Sequence, residues 1–205
     1  MLLPSTCAGC SQPGHRLCPA CRTALLPAPA DAAFPALFAY QGVGQTVLTA
    51  CKYRGRRGPV PVLAAGLAGA VAAAGGAPAA VTWAPTGAQR RRARGFDQAE
   101  LLARAVARQL GVPARRLLVR IGGPAQTGRT RVERLAGPTF VAVGRVPGRV
   151  LVVDDVVTTG ATLAAARAAL VAGGAHRVEC WAVAATAGRP RSDDPADGAV
   201  RRARR

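Results

Sequence analysis

Residues 150–163 constrain the fold more than any other part of this chain. They read V-L-V-V-D-D-V-V-T-T-G-A-T-L. The apolar, β-branched residues predict a buried strand over 150–153 that ends in Asp154 and Asp155, followed by a loop and a helix. In open parallel sheets, ligands sit at the carboxyl ends of the strands. We therefore expect the two aspartates and the loop after them to form a ligand site.

The loop after the aspartates has the composition of a phosphate-binding loop. Its candidate residues are Thr158, Thr159, Gly160, Ala161 and Thr162. At the start of a helix, their backbone N–H groups and hydroxyls would donate to a phosphate, and Gly160 would let it approach closely. The two acids would repel a phosphate, so they suit sugar hydroxyls or a ligand-bound Mg²⁺ better. The alternative interpretation is a surface turn with an ordinary threonine cap.

Strand and helix patterns alternate along most of the chain. We predict strands over residues 38–40, 80–84, 117–121, 140–143, 150–153 and 177–185, and helices over 43–51, 60–74, 97–110 and 161–172. In the helix over 97–110, Asp97 and Glu100 suit the N-terminal cap and Gly111 the end. This alternation predicts an α/β fold with a mostly parallel sheet flanked by helices.

Four of the six cysteines form two CxxC pairs near the start of the chain. The pairs are Cys7 with Cys10, and Cys18 with Cys21. Each pair supplies half of a tetrahedral zinc site, and so short a segment needs a metal to fold. A redox or metal-free knuckle is the alternative, and His15 could replace one ligand. Cys51 and Cys180 lie next to apolar residues and are predicted to be small buried side chains.

We divide the chain into a double-CxxC zinc-binding module (1–26), a Pro/Ala linker (27–36), an α/β domain (37–188) and a disordered basic tail (189–205). The start of the chain lacks the apolar run of a signal peptide. The uncharged run over 58–89 is rich in Ala and Gly and broken by prolines, so it predicts no membrane span. These features predict a cytoplasmic protein.

The charge of the chain is strongly positive. It has 28 Lys and Arg against 10 Asp and Glu, a formal net charge of +18. Such a field favours phosphate-bearing partners, including nucleic acids. Lys52, Arg90 and Arg94 are candidates to contact pyrophosphate or nucleic acid. Aromatic residues make up only 4% of the chain, and Tyr53 and Phe96 are the rings placed among arginines that could stack on bases.

The segment over 150–163 resembles the phosphoribosyl-pyrophosphate signature of type I phosphoribosyltransferases. That resemblance implies that residues 158–162 hold the 5′-phosphate and that Asp154 and Asp155, the predicted catalytic residues, contact the ribose 2′ and 3′ hydroxyls. It also implies that Mg²⁺ accompanies the ligand. In the wider fold, Pro85-Thr86-Gly87 stands where pyrophosphate is held. Residues 126–135, with Arg129, Arg131 and Arg134, stand where a mobile catalytic loop closes.

Further motifs indicate a narrower resemblance. The double CxxC start, K-Y-R-G (52–55), R-A-R-G-F-D-Q-A (92–99) and Gln126 with T-R-V-E-R (130–134) precede the signature in that order. Together they resemble the ComF/GntX family of phosphoribosyltransferase-like proteins. Asp97 stands where that family commonly has Asn, and a helix cap tolerates either residue. The resemblance implies a link to DNA uptake in natural transformation and to DNA-uptake proteins as partners.

Three functions follow from these patterns. The first is a phosphoribosyltransferase that binds phosphoribosyl pyrophosphate, with an acceptor that the residues do not identify. The second is a single-stranded nucleic-acid-binding accessory protein that uses the same fold without turnover. The third is a structural, zinc-dependent partner protein, which would leave the signature at 150–163 unexplained.

Overall fold

The protein is described by a computed structural model over residues 5–53, 58–87, 92, 95–121 and 138–187. Its helices are α1 (Pro19–Thr23), α2 (Gly42–Tyr53), α3 (Val60–Ala73), α4 (Gln98–Leu110) and α5 (Ala161–Ala172). Its strands are β1 (Ala36–Ala39), β2 (Ala80–Trp83), β3 (Leu118–Ile121), β4 (Thr139–Ala142), β5 (Arg149–Val157) and β6 (Arg177–Ala185). The predicted tail over 189–205 and the predicted loop over 126–135 lie outside the described residues.

The centre of the fold is a four-stranded sheet in the order β1-β6-β5-β2. Every neighbouring pair in it is parallel. β3 and β4 form a separate antiparallel pair. The predicted α/β fold with a parallel sheet flanked by helices is therefore confirmed, and the phosphoribosyltransferase-like order of strand, loop and helix over 150–163 is present.

Side chains of the central strands alternate between two apolar layers. Leu151 and Val153 of β5 pack with α2, α3 and α4 on one face. Val150 and Val152 pack with α5 and the β3–β4 pair on the other. The alternation follows from the two-residue period of a strand. Because both faces are covered, the central strands are mostly apolar, and β2 is buried along its whole length.

Helix α4 shows how local sequence fixes an element. The Asp97 carboxylate accepts the Ala99 N–H at its start, and Gly111 ends it with φ 68°. On the exposed face, Arg104 lies 2.9 Å from Glu100, one turn earlier. The predicted cap at Asp97 is therefore confirmed, while Glu100 pairs with Arg104.

The strand before the loop over residues 158–162 is longer than its apolar run predicts. β5 continues past Val153 through both aspartates to Val157, and its last residues pair with Ala182, Ala184 and Ala185 of β6. β6 supplies backbone partners along this whole length, so ladder hydrogen bonds keep the acidic residues extended. Asp154 and Asp155 thus lie within the strand, and the loop begins at Thr158.

None of the helices in the described ranges has the length and apolar character that crossing a membrane requires. Helix α3 is the most apolar of the long helices, and six of its fourteen residues are buried against the core. The uncharged run predicted to be a buried helix and a strand is therefore α3 followed by β2.

Candidate functional site

The four cysteines of the two CxxC pairs converge on one point. Their sulfur atoms all lie within 4.8 Å of one another, and the Cys10 and Cys18 sulfurs are 3.7 Å apart. Four thiolates bound at about 2.3 Å to one tetrahedral ion lie about 3.8 Å from each other. The four-cysteine cluster (Cys7, Cys10, Cys18 and Cys21) therefore has the spacing that a metal such as zinc needs.

The surroundings of the cluster shift the pKa values of two of its thiols in opposite directions. Backbone N–H groups of Cys18 and Cys21 approach the sulfurs of Cys7 and Cys18, each at 3.4 Å. Burial acts to raise the pKa of Cys7, but hydrogen bonds from backbone groups of Cys10, Cys18 and Gly9 outweigh it and lower the pKa to about 6. Burial and the neighbouring sulfurs raise the pKa of Cys21 to about 12. A metal cation would compensate this crowding of thiolates.

Gly9 permits the close packing of this cluster. A Cβ on Gly9 would lie 2.6 Å from the Cys21 sulfur and 3.3 Å from Val43 of helix α2. The cluster also shares an apolar core with α2, because Cys7 and Cys21 belong to the same buried core as Val47 and Leu48. Cys51 and Cys180 are buried elsewhere, each 2% exposed, as predicted.

A cleft of about 360 Å³ lies at the carboxyl ends of the central strands. Its walls come from segments after β1 and β2, from helices α2 and α4, from β3, and from β5 with the loop after it. Its lining residues include Tyr40, Lys52, Pro85, Thr86, Gln98, Arg120, Asp154, Asp155, Thr158 and Thr162. The structure thus brings together both predicted aspartates, two of the predicted loop threonines and the predicted pyrophosphate turn.

The two aspartates of the cleft differ in their partners. Asp155 Oδ2 forms an ion pair with Lys52 Nζ at 2.8 Å, and Asp155 Oδ1 accepts a hydrogen bond from the Val156 N–H at 2.8 Å. Asp154 accepts the Asp155 N–H at 2.8 Å. Burial, followed by the negative charge of Asp155, raises the pKa of Asp154 well above its usual range. The pair therefore joins one carboxyl held by a cation to one whose surroundings disfavour its ionised form.

The loop after β5 presents exposed polar groups at the start of helix α5. Thr158 and Thr159 are exposed and Thr162 is half-buried. The Thr159 hydroxyl accepts the Ala161 N–H at 3.4 Å, a long hydrogen bond. Two threonines and the helix N-terminus therefore face the same cleft as the acids.

Gly160 serves packing as well as loop shape. Its φ is 77°, and a Cβ there would lie 2.7 Å from the Ala33 Cβ and 3.0 Å from the Phe34 ring. On the side where a Cβ would point, Gly160 therefore faces the segment before β1 rather than open space. Arg167 of α5 stacks on the Phe34 ring at 5.1 Å from its centroid, so this segment is held against the loop.

Asp97 connects helix α4 to the predicted pyrophosphate turn. Its carboxylate accepts the Thr86 N–H at 2.8 Å and the Thr86 hydroxyl at 3.2 Å, in addition to the Ala99 N–H at 3.1 Å. Three donors on one carboxylate fix both the start of α4 and the turn after β2. The motif residue read as a helix cap therefore also positions one wall of the cleft.

Sequence reasoning missed three polar residues of the cleft: Tyr40, Gln98 and Arg120. Gln98 is 3% exposed, and in the described part of the chain its Oε1 has no hydrogen-bond partner. A buried acceptor without a partner at a cleft suits a ligand or water donor. Tyr40 directly follows β1, and this position at the carboxyl end of a parallel strand could have identified it as a residue of the cleft.

Some predicted contacts are not described. Arg90 and Arg94 lie outside the described residues, as do Arg129, Arg131 and Arg134, and the Tyr53 side chain is not described. Phe96 is partly buried. Lys52 is in the cleft, where Asp155 pairs with its charge.

Comparison with solved structures finds proteins with a similar arrangement. The allosteric regulatory enzyme of purine biosynthesis is 20% identical with a TM-score of 0.42, and the match covers 60% of this chain and 25% of that one. A purine phosphoribosyltransferase from Pyrococcus horikoshii OT3 is 17% identical with a TM-score of 0.40, covering 63% and 83%. A hypothetical protein from Neisseria gonorrhoeae with bound ppGpp is 17% identical with a TM-score of 0.38, covering 66% and 74%.

Comparison with curated proteins finds no match. The model of the phosphoribosyl transferase domain family, in contrast, matches residues 97–202, slightly more than half of the chain. The matched region contains the acid pair, the loop over 158–162 and helix α5. The chain belongs to the phosphoribosyl transferase domain family.

Proposed function

We propose that this protein binds phosphoribosyl pyrophosphate, or a related phosphoribosyl ligand, in the cleft at the carboxyl edge of its sheet. The observation that carries the proposal is the placement of the acid pair, Asp154 and Asp155, beside Thr158 and Thr162 in one cleft. Acceptors for sugar hydroxyls and donors for a phosphate thus lie within the reach of one small ligand. Membership of the phosphoribosyl transferase domain family supports the same ligand class.

Each part of the ligand has a proposed partner. The acid pair accepts hydrogen bonds from the ribose 2′ and 3′ hydroxyls, and residues 158–162 donate to the 5′-phosphate at the start of α5. The turn Pro85-Thr86-Gly87, with Arg90 and Arg94, is proposed for the pyrophosphate. When bound with the ligand, Mg²⁺ would neutralise pyrophosphate charge and so make it a better leaving group.

In a transferase, the bond from the ribose anomeric carbon to pyrophosphate breaks with its electron pair leaving on the pyrophosphate. A bond from an acceptor nucleophile to the same carbon forms, and the acceptor's proton is released to a base or to water. The carboxylates of the acid pair hold the ribose during this exchange and raise the effective concentration of the reacting groups. Gln98, whose Oε1 has no partner among the described residues, is a further acceptor in the same cleft.

Zinc is the metal that we propose for the four-cysteine cluster. Four sulfur ligands with no open position are typical of structural zinc sites, and the sulfur spacing suits that geometry. The zinc would hold the first module together without taking part in reactions at the cleft.

We also propose membership of the ComF/GntX group, with a role in DNA uptake. The support is the order of the sequence motifs, together with the net charge of +18, which favours nucleic acids. Without turnover, the protein would act as a single-stranded nucleic-acid-binding accessory. A salt-dependent single-strand binding assay tests this role. Weak binding that Tyr53→Ala and Phe96→Ala leave unchanged would count against strand recognition.

The ligand is tested by isothermal titration of phosphoribosyl pyrophosphate with Mg²⁺ into the full chain. We expect Asp154→Asn/Asp155→Asn to weaken binding by at least about 100-fold, because it replaces both acids, and a hydrogen bond to a charged group is worth about 1.5–3 kcal/mol. The matched control is Glu100→Gln/Glu179→Gln, which removes the same charge outside the cleft and should bind within about twofold of the wild type. Equal binding by the aspartate variant and the wild type would refute the proposal.

A further inference from the structure

Lys52 pairs with one of the two acids in the cleft. Its Nζ lies 2.8 Å from Asp155 Oδ2, and the two side chains are only 14% and 15% exposed. Both line the cleft with Asp154. Exposed ion pairs are individually weak, whereas a shielded pair at this distance is screened much less by solvent and salt. The pair is therefore strong enough to influence the chemistry of the acids.

Lys52 reaches the acids from a different part of the chain. It lies in the last turn of α2, outside the region that the family model matches. It is also the only lysine in the chain, in which the other 27 of the 28 Lys and Arg residues are arginine. An ammonium on a flexible stem can make one short contact where a planar guanidinium needs more room. The α2 helix thus adds a cation to an acid pair that belongs to the matched domain.

The acid pair needs such a cation. Adjacent carboxyls in a partly buried site tend to share a proton, because each negative charge disfavours the other. The burial of Asp154 and the charge of Asp155 raise the pKa of Asp154, and Lys52 acts in the opposite direction. Within the described residues, the other titratable or charged groups around the acids are Tyr40, after β1, Cys51, on α2, and Arg120, on β3.

We propose that Lys52 is a positioning residue for the acid pair: it holds Asp155 against α2 and opposes the retention of a proton by Asp154. The carboxyl oxygens of both residues then accept hydrogen bonds from the hydroxyls of a phosphoribosyl ligand. The inference about ligand binding rests on the function proposed above, but the effect on the acids does not. In this role Lys52 does not touch the ligand, because its charge acts through Asp155.

The first test needs no ligand. Carboxyl carbons of the ¹³C-aspartate-labelled full chain are titrated by NMR, and the Asp154 signal is assigned with Asp154→Asn. We expect Lys52→Met to raise the pKa of Asp154 by about one pH unit relative to the wild type, because an opposing charge is lost. Lys52→Arg keeps the charge and should shift it less. Arg177→Met, which removes a cation from an exposed pair with Glu179, should leave it unchanged.

An unchanged Asp154 titration in Lys52→Met would overturn the proposal. A second outcome would also overturn it. If Lys52→Met and Lys52→Arg lower the thermal midpoint by the same amount and neither shifts the Asp154 signal, then Lys52 has only a structural role.

The second test is the pH dependence of binding, measured with phosphoribosyl pyrophosphate and saturating Mg²⁺. Protonation of the ligand itself changes both Kd values by the same factor, so we compare the Kd of Lys52→Met with that of the wild type as a ratio at each pH. We expect a ratio of about tenfold at low pH that falls toward one as the pH rises and both acids ionise. A ratio that stays constant with pH describes direct contact with the ligand anion and would overturn the proposal. If the wild type binds no ligand, the proposed function fails, and the NMR titration still decides the effect of Lys52.

Discussion

The four-cysteine cluster and the cleft differ in how far apart along the chain their parts lie. The cluster takes all its ligands from residues 7–21, and their spacing alone predicted that the sulfurs would meet. The cleft takes its walls from segments between Tyr40 and Thr162, and no local spacing joins them. Helix α2 contacts both, since its apolar face packs on the cluster and its last turn supplies Lys52. A local site is thus set by sequence spacing, and a dispersed site by strand order.

Metal removal gives the largest expected difference between the two regions. Cys7→Ser/Cys21→Ser should lose the metal and unfold the first module, since structural zinc contributes roughly 10–16 kcal/mol of folding free energy to small domains. Metal content measured by elemental analysis, together with circular dichroism, checks this. The control Cys51→Ala/Cys180→Ala removes two buried cysteines outside the cluster and should retain the metal. Retention of the full metal content by the first variant would contradict the assignment.

Gly160→Ala tests how residues 33–34 pack against the loop over residues 158–162. A Cβ would combine the strain of φ 77° with contacts at 2.7 Å to Ala33 and 3.0 Å to Phe34. We expect a loss of about 2–4 kcal/mol in the free energy of unfolding, measured by urea denaturation. Gly111→Ala is the matched control, because its φ is 68° with no atom within 4 Å, so it should cost about 1–2 kcal/mol. Equal losses would show that the segment over 33–34 does not press on the loop.

Asp97→Ala tests whether one carboxylate fixes both a helix and a cleft wall. It removes the acceptor for Ala99 N–H and for both donors of Thr86. The expected loss is about 1–2 kcal/mol in thermal or urea denaturation. Asp97→Asn keeps an oxygen acceptor and should lose less. A larger loss in the Asn variant than in the Ala variant would be inconsistent with a capping role.

Asp154→Asn should stabilise the fold slightly while weakening the site. Because folding raises the pKa of Asp154, the folded state holds a proton that the unfolded state releases. Stability from this group is therefore present below the unfolded pKa and is lost as pH rises through the folded pKa. An asparagine side chain does not ionise and so avoids this loss of stability at higher pH. The variant should therefore gain about 2–4 °C in Tm at neutral pH and nothing at pH 3. An equal shift at both pH values, measured by calorimetry, would contradict this assignment.

Several elements were predictable because their signals are local. Apolar periodicity gave α3, α4, α5 and β6 within a residue or two, and Gly111 marked the end of α4. The length of β5 was not predictable from its apolar run, because β6 provides the ladder partners that extend it through the acids. The packing of Ala33 and Phe34 beside Gly160 was not predictable either, because both residues come from a segment interpreted as a linker.

The spacing of the cysteines and the order of strand, acids, threonine loop and helix over 150–163 are properties of the sequence, because neighbouring residues along the chain form them. Which groups face the acids is a property of the tertiary structure. Lys52, Gln98 and Thr86 are far apart in the chain and meet Asp154 and Asp155 only because parallel strands align their carboxyl ends at one edge. The charge state of the acid pair depends on that meeting, since burial and neighbouring charge, rather than residue type, set the pKa of a carboxyl.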